Sequence, residues 1–228
     1  MKIRYWSDYS CPFCYIGVTR LNRAIERLGI GDNVEIERLA FELSPEMEGA
    51  SSMDTVSLFA KKYSMDREKA ERQISLIEEE GRRTGLDIHL DKAVFCNTRE
   101  AHRLYKFALS NGKDIAAKTG NLLFEAFFSK GENICETETL LRIAEDAGLQ
   151  RSEAAVVLGS GAFEDDIIRD ENEARALSVT GVPFFLIDDK YYIPGAIPEA
   201  GFIRALKGAL AQEEAPAANG NACGPGGC

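Results

Sequence analysis

Two cysteines separated by two residues, close to the start of the chain, are the residues best suited to chemistry. They are Cys11 and Cys14, with Pro12 and Phe13 between them. The thiolate form of cysteine is the nucleophile of disulfide exchange and also a metal ligand, so this spacing suits a redox pair or half of a zinc site. A zinc site needs two more ligands, and the chain contains only two histidines. We therefore favour redox chemistry and expect no metal, with two unrelated core cysteines as the remaining alternative.

The residues around this pair predict a strand followed by a helix. Polar and apolar residues alternate from Lys2 to Ser7, which indicates a strand. Pro12 suits the first turn of a helix, where an N–H group would have no partner, and apolar residues follow at helical spacing until Gly29. The sulfur of Cys11 is then expected at a helix N-terminus, where free N–H groups and the helix dipole favour a thiolate.

The remaining pattern divides the chain into an α/β part and a helical part. A second strand is predicted between Val34 and Leu43, so the chain begins as a strand–helix–strand unit, which normally forms a parallel pair. Helical patterns dominate to about residue 175, and an apolar strand and a hairpin follow from Val182 to Ile193. After a final helix we predict a flexible tail. The predicted division is an α/β domain of residues 1–48 and 173–212, a helical insertion domain at 49–172 and the tail at 213–228.

Composition argues against several classes of function. Acidic residues outnumber basic residues by 37 to 27, and the net charge of -10 argues against nucleic-acid binding, which needs clustered cations. No apolar run approaches the roughly 18 residues of a membrane span, so we expect no membrane partner. The first residues lack the apolar stretch and cleavage site of a signal peptide, and we expect a cytoplasmic protein. The sequence does not indicate an oligomeric state.

Two further cysteines, Cys96 and Cys135, lie in apolar company within the helical part. Cys96 follows Ala-Val-Phe, and Cys135 follows Ile134. Structural disulfides are rare in a reducing cytosol, and a buried free cysteine behaves as a small apolar residue. We therefore expect both to be unpaired residues of the core.

The last residues contain a second closely spaced pair, Cys223 and Cys228. Four small residues, Gly-Pro-Gly-Gly, separate the two sulfurs and would let them meet without a surrounding scaffold. The stretch before them reaches roughly 20 Å by random-coil scaling. One hypothesis is a second redox pair that exchanges disulfides with Cys11 and Cys14 or with substrate. Incidental thiols on a solvated tail, or a metal clip, are equal alternatives.

Four segments together resemble a known family. They are Cys11 to Gly17, Asn97 and Thr98 with Ala101 to Leu104, Thr180 to Phe185, and Ile193 to Ala196. In this order they make residues 2–212 similar to the DsbA-like branch of the thioredoxin fold, and within it to the FrnE-like family of dithiol–disulfide isomerases. The resemblance implies a thioredoxin-like α/β fold interrupted by an α-helical insertion domain. One departure is Phe13, where the family often has Trp, and Phe adds no charge near Cys11.

The resemblance also assigns substrate contacts near the cysteine pair. It implies that Val182 and Pro183 form the cis-proline loop of the family, which faces Cys11 and offers the backbone of Val182 to an extended substrate. Pro12 and Phe13 are implied as further substrate contacts. The implied substrates are protein or small-molecule thiols and disulfides.

Two polar residues, Asn97 and His102, are implied as neighbours of the cleft. His102 has apolar neighbours on a predicted helix, which favours a hydrogen-bonded histidine over one that transfers protons. A redox-active disulfide takes the place of a cofactor in such enzymes, and glutathione is a candidate small-molecule partner.

The predicted function is that of a thiol–disulfide oxidoreductase or isomerase, in which Cys11 forms a mixed disulfide with substrate and Cys14 resolves it. Two alternatives stay open. Glutathione-dependent isomerases and transferases of the same superfamily carry Ser where this chain has Cys11. A redox sensor or chaperone-like binding protein would use the cysteine pairs to control exposure of the helical block.

Overall fold

A computed structural model of the protein describes residues 1–213, so Cys223 and Cys228 lie outside the described residues. The strands within this part are β1 (Lys2–Ser7), β2 (Glu35–Ala40), β3 (Phe184–Ile187) and β4 (Tyr191–Pro194). The helices are α1 (Pro12–Leu28), α2 (Thr55–Lys62), α3 (Arg67–Arg83), α4 (Arg99–Ser110), α5 (Lys113–Phe124), α6 (Thr137–Ala147), α7 (Arg151–Leu158), α8 (Glu164–Ala176) and α9 (Glu199–Glu213). A 3-10 turn at Gly31–Asn33 precedes β2, and a π-helical segment, Glu125–Lys130, continues α5.

The four strands form one mixed sheet in the order β2-β1-β3-β4. β1 and β2 are parallel, with Tyr5 opposite Arg38, as a strand–helix–strand unit predicts. β3 is antiparallel to β1 and to β4, so the predicted hairpin is confirmed. β2 ends at Ala40, three residues before the predicted limit at Leu43.

The alternation along β1 determines which helices cover each face of the sheet. Ile3 and Tyr5 belong to a buried cluster that includes apolar residues of α1 and α9. Trp6 points to the opposite face, where it packs in a cluster with Ala174 of α8. The indole N–H of Trp6 donates to the carbonyl of Asp170 at 2.9 Å, so its one polar group is paired despite full burial.

Helix α1 begins and ends where its sequence predicts. Pro12 occupies its first turn, where the missing N–H removes no hydrogen bond. At the other end Gly29 adopts a left-handed conformation with φ of 63°, and its N–H bonds the carbonyl of Glu26. Glycine has no Cβ that opposes this conformation, so it terminates the helix efficiently.

The helices between β2 and β3 contribute most of the largest apolar cluster, which also includes Cys11 and Cys14. Phe124, at the end of α5, stacks on Tyr15 of α1 with ring centroids 4.8 Å apart, so this block packs directly on the helix that carries the cysteines. The expected fold, a thioredoxin-like domain with a helical insertion, matches this arrangement. Within residues 1–213, no helix is both long enough and apolar enough to span a bilayer.

The predicted limit of the insertion at residue 172 falls inside α8. This helix covers the sheet through Ala174 and also contacts α4. The division of the chain into 1–48, 49–172 and 173–212 stays a prediction.

The expectation that Cys96 and Cys135 are unpaired is wrong, because the structure joins them in a disulfide. Cys96 lies just before α4 and Cys135 just before α6, and their Cα atoms are 6.3 Å apart. Cys96 is 3% exposed, so its placement in the core is correct. The pairing brings together residues 39 positions apart, a distance at which no local pattern in the sequence predicts contact.

Candidate active site

The two cysteines of the N-terminal pair occupy the first turn of α1. Cys11 is the N-cap residue, and its carbonyl accepts a hydrogen bond from the N–H of Cys14 at 3.0 Å. Both are free thiols. Cys11 is 5% exposed and Cys14 is 0% exposed, so an incoming molecule has access to one sulfur only.

The buried thiol, Cys14, is held in an environment that opposes ionisation. Burial raises its pKa well above the ordinary value, and the adjacent Cys11 side chain raises it further. Hydrogen bonds from the backbone N–H of Asp8 and the side chain of Ser7 act in the opposite direction. These two groups are therefore the neighbours that stabilise a thiolate on Cys14.

The loop before β3 faces the first cysteine. The Cys11 thiol donates to the carbonyl of Val182, with the sulfur 3.4 Å from the oxygen. The Val182–Pro183 peptide bond is cis. A Cβ at Gly17 would lie 3.1 Å from Pro183 Cγ and 3.2 Å from the Phe185 ring, so a glycine here lets α1 approach this loop closely.

A groove of about 570 Å³ opens beside Cys11. Phe13, the second residue of α1, lines this groove, and its side chain is 42% exposed. The other lining residues are mostly apolar and come from the segment after β2, from α2, from α3 and from the two loops that carry Phe95 and Val182. Lys61 and Lys62, in the last turn of α2, add positive charge to this wall. The groove can therefore hold an extended, largely apolar chain against the exposed sulfur.

A buried carboxylate beneath the cysteine loop was not found by sequence reasoning. Asp8 is 1% exposed, and burial raises its pKa. It accepts hydrogen bonds from the N–H of Ser10 at 2.9 Å, the N–H of Leu43 at 2.6 Å and the hydroxyl of Thr98 at 2.8 Å. The carboxylate of Asp8 thus links, through hydrogen bonds, the cysteine loop, the segment after β2 and the start of α4. Its only sequence signal is an acidic residue placed directly between a strand and the cysteine motif.

The predicted cleft residues Asn97 and His102 do not line the groove. Asn97 bonds the carbonyl of Pro45 and accepts from the N–H of Arg99, so it organises a loop next to the groove wall. His102 is 2% exposed and packs against the ring of Tyr9. Burial lowers its pKa well below the ordinary value, so His102 is neutral and unsuited to proton transfer near neutral pH.

Of the remaining predicted site residues, Pro12 and Phe13 line the groove together with Cys11 and Val182. Cys223 and Cys228 lie outside the described residues. Among residues 1–213 no group of three or more His, Cys, Asp or Glu side chains is arranged to hold a metal ion.

This sheet topology, with a dithiol at the start of α1 facing a proline loop, defines a thioredoxin-type fold. Residues 2–207 match the family described as DSBA-like thioredoxin domain, so the chain belongs to the DsbA-like thioredoxin family of thiol–disulfide oxidoreductases.

Three relatives illustrate the match. The chain is 31% identical to probable DsbA oxidoreductase SCO1869 from Streptomyces coelicolor, whose crystal structure superposes with a TM-score of 0.88 over 100% of this chain and 98% of that one. It is 28% identical to uncharacterized protein YwbO of Bacillus subtilis (strain 168) over 90% of this chain and 96% of the relative. The cytosolic disulfide reductase DsbM from Pseudomonas aeruginosa, solved with GSH, shares the fold at 16% identity, with a TM-score of 0.64 over 92% of this chain and 100% of that one.

Proposed function

We propose that this protein is a dithiol–disulfide oxidoreductase or isomerase that acts through Cys11 and Cys14. The observation that carries the proposal is the contrast between the two sulfurs. Cys11 lines the groove, whereas Cys14 is completely buried and lies one helical turn further along α1. Of these two thiols, Cys11 would meet the substrate first, and Cys14 would then attack the sulfur of Cys11.

In the reducing direction, the Cys11 thiolate attacks one sulfur of a substrate disulfide, and a Cys11–substrate disulfide forms as the other substrate sulfur leaves with a proton. The Cys14 thiol then loses its proton and attacks the Cys11 sulfur. A Cys11–Cys14 disulfide forms, and the second substrate sulfur leaves as a thiol. The reverse sequence oxidises a substrate dithiol, and isomerisation uses the first step without net electron transfer.

The groove supports protein or small-molecule disulfides as substrates. Its apolar wall and exposed Phe13 suit an extended peptide, which the carbonyl of Val182 would hydrogen-bond next to the reacting sulfur. Glutathione is the small-molecule partner we propose, and DsbM of Pseudomonas aeruginosa has been solved with GSH. DsbM is described as cytosolic, and we propose the cytoplasm as the location here as well.

The test is reduction of insulin by dithiothreitol, measured by turbidity with the variants Cys11→Ser and Cys14→Ser. We expect both variants to lose turnover. Only Cys14→Ser retains the attacking thiol without the resolving one, so it is expected to accumulate a mixed disulfide detectable by mass spectrometry. Unfolding midpoints close to that of the unaltered protein would show that both variants fold. Full turnover in Cys11→Ser, or trapping by Cys11→Ser instead of Cys14→Ser, would overturn the proposal.

We also propose Cys223 and Cys228 as a second redox couple that exchanges disulfides with the first. The support is their spacing alone, with four small residues between them.

A further inference from the structure

One buried cation behind the cysteine pair is not accounted for by the proposed reaction. Arg38 is 3% exposed and lies on β2, opposite Tyr5 of β1. Its guanidinium carbon is surrounded by aromatic rings, at 4.0 Å from the centroid of Tyr9, 4.6 Å from Phe124, 5.3 Å from Tyr105 and 6.0 Å from Tyr5. Ring faces attract cations, and this cage offsets part of the unfavourable burial of a charge.

Arg38 lacks the partner that a buried arginine usually has. Among the described residues, no carboxylate oxygen lies within 4.0 Å of its nitrogens, whereas the buried arginine Arg103 contacts Glu100 at 2.8 Å. The Nε of Arg38 has no hydrogen-bond partner. Its Nη2 donates to the hydroxyl oxygen of Ser7 at 2.9 Å. Burying an unpaired charge is strongly unfavourable. We therefore expect a nearby group that a positive charge would stabilise.

The hydroxyl of Ser7 connects this cation to the buried thiol. Ser7 is 0% exposed, and hydrogen bonding from its side chain lowers the pKa of the Cys14 thiol. Because the Ser7 oxygen accepts from Arg38, its single proton is left to point at that sulfur. The chain Arg38–Ser7–Cys14 therefore presents a donor, polarised by a positive charge, to the sulfur that must ionise.

The other titratable groups around this chain are neutral or held in place. Burial raises the pKa of the hydroxyls of Tyr5 on β1, Tyr9 just after β1 and Tyr105 on α4, and His102 on α4 is neutral. The remaining neighbours are Cys11 and Asp8, and the carboxylate of Asp8 accepts hydrogen bonds from three donors. Arg38 is thus the positive charge that Cys14 encounters among these groups.

We propose that Arg38 is a positioning residue for the resolving step, which acts through Ser7 to stabilise negative charge on the sulfur of Cys14. This inference rests on the proposed Cys11–Cys14 function. In the step concerned, Cys14 loses its proton and attacks Cys11 of the mixed disulfide, the Cys11–Cys14 bond forms, and the leaving sulfur takes up a proton as a thiol. Arg38 neither touches the substrate nor exchanges a proton.

The experiment measures the two chemical steps separately. Protein carrying Cys223→Ser and Cys228→Ser, with Cys11 and Cys14 reduced and the Cys96–Cys135 disulfide intact, is mixed with excess dithiobis(nitrobenzoate) in a stopped-flow instrument. Attack by Cys11 releases the first nitrothiolate, and attack by Cys14 on the Cys11 mixed disulfide releases the second. Arg38→Met removes the charge at similar length, Arg38→Lys retains it, and Arg4→Met is the matched control. Arg4 is also packed against a ring, that of Trp6, but on the opposite face of the sheet.

We expect Arg38→Met to slow the second release and to move its pH–rate profile to higher pH. A rise of one unit in the pKa of the attacking thiol reduces its thiolate tenfold but makes that thiolate about threefold more nucleophilic. A second phase roughly 3- to 10-fold slower is therefore expected for a rise of one to two units. The first release stays within twofold, Arg38→Lys restores most of the second, and Arg4→Met leaves both unchanged.

Ser7→Ala keeps the test decisive if Arg38→Met fails to fold. It removes the hydroxyl between Arg38 and Cys14 without disturbing the aromatic cage. We expect the same shift of the second phase as in Arg38→Met, and no further shift when the two substitutions are combined. A second phase with unchanged rate and pH profile in folded Arg38→Met or Ser7→Ala would overturn the inference and leave the proposed function intact. Loss of the first phase in the parent protein would instead overturn the proposed function.

Discussion

At the scale of single residues, the two cysteines have the same side chain, but their different environments give the two thiols different properties. Cys11 lines the groove at the N-terminus of α1, whereas Cys14 is enclosed and its pKa is raised mainly by burial. The spacing of the pair could be read from the sequence, and so could its position at a helix N-terminus. The sequence did not reveal Asp8 or Arg38, because each acts through partners far along the chain.

Replacement of Asp8 by Asn tests the buried carboxylate. Both oxygens of Asp8 accept from donors, so an Asn side chain would turn its NH2 group towards one of them and leave that donor unpaired. An unsatisfied buried group costs about 1–3 kcal/mol, and we expect a loss of this size in the free energy of unfolding in urea at pH 7. Asp91→Asn, at an exposed aspartate, is the control, with an expected change below about 0.5 kcal/mol. Equal stabilities of the two variants would contradict the role of Asp8 as an anchor.

At the scale of elements, ion pairs connect the end of β2 to the helices around it. Glu42, just after β2, is 7% exposed and contacts Arg99 of α4 at 2.6 Å. Arg99 also contacts Glu164 of α8 at 2.8 Å, and Glu171 lies at 4.0 Å. Burial raises the pKa of Glu42 to about 7, against the opposing effect of Arg99. One carboxyl at a junction of three elements therefore titrates close to neutral pH.

This pKa predicts a dependence of stability on pH. The pKa of Glu42 rises from an ordinary value of 4.5 to about 7 on folding, so between these limits the folded chain holds a proton that the unfolded chain has lost. The stabilisation is fully present below pH 4.5 and is lost as pH rises to 7, with a magnitude of up to about 3 kcal/mol. Glu42→Gln resembles the protonated form, so its stability is expected to fall less than that of the unaltered protein from pH 5 to pH 8.

The measurement is urea unfolding at several pH values, with Glu138→Gln as the control. Glu138 also pairs with an arginine, Arg151, but its side chain is 78% exposed. We expect this control to keep the pH dependence of the unaltered protein. An identical slope in Glu42→Gln would rule out Glu42 as its source.

Whole elements were predictable where local pattern and capping agree. β1 and α1 have the predicted limits, and the hairpin of β3 and β4 lies where the apolar run and its turn indicate. The π-helical segment after α5 was not predicted, because it depends on packing of Phe127 and Phe128 in the core and not on a periodicity of their own. The contact of α8 with the sheet was likewise not predictable, because it depends on which face of the sheet the other helices leave uncovered.

At the scale of the whole molecule, the Cys11–Cys14 site joins both parts of the fold. The thioredoxin-like part contributes α1 and the loop before β3, and the helical part contributes most of the opposite wall of the groove. The disulfide between Cys96 and Cys135 links two segments of the helical part, and Phe95, next to Cys96, lines the groove. The shape of the groove is thus a property of the assembled chain.

The proposed second redox couple is tested in the full-length chain. We expect Cys223→Ser combined with Cys228→Ser to lower turnover on a scrambled protein substrate severalfold, because the first pair would lose its exchange partner. Asn219→Ser with Asn221→Ser is the matched control in the same segment and is expected to retain full turnover. Unchanged turnover together with an unchanged reduction potential of the Cys11–Cys14 couple would contradict the shuttle.

Features that depend on neighbouring residues are predictable from the sequence alone. A CxxC motif after a strand and at the start of a helix, the parallel strand–helix–strand unit and the final hairpin all follow from short-range spacing, and together with the ordered segments they indicated the DsbA-like family. The three-dimensional structure was needed to show which cysteine faces the groove, that Cys96 and Cys135 are bonded, and that Arg38 donates to Ser7. These depend on contacts between residues 31 to 171 positions apart, from Arg38 with Ser7 to Cys11 with Val182. Such contacts form when the apolar faces of separate elements pack together. Local periodicity predicts the elements but not which of their residues will meet.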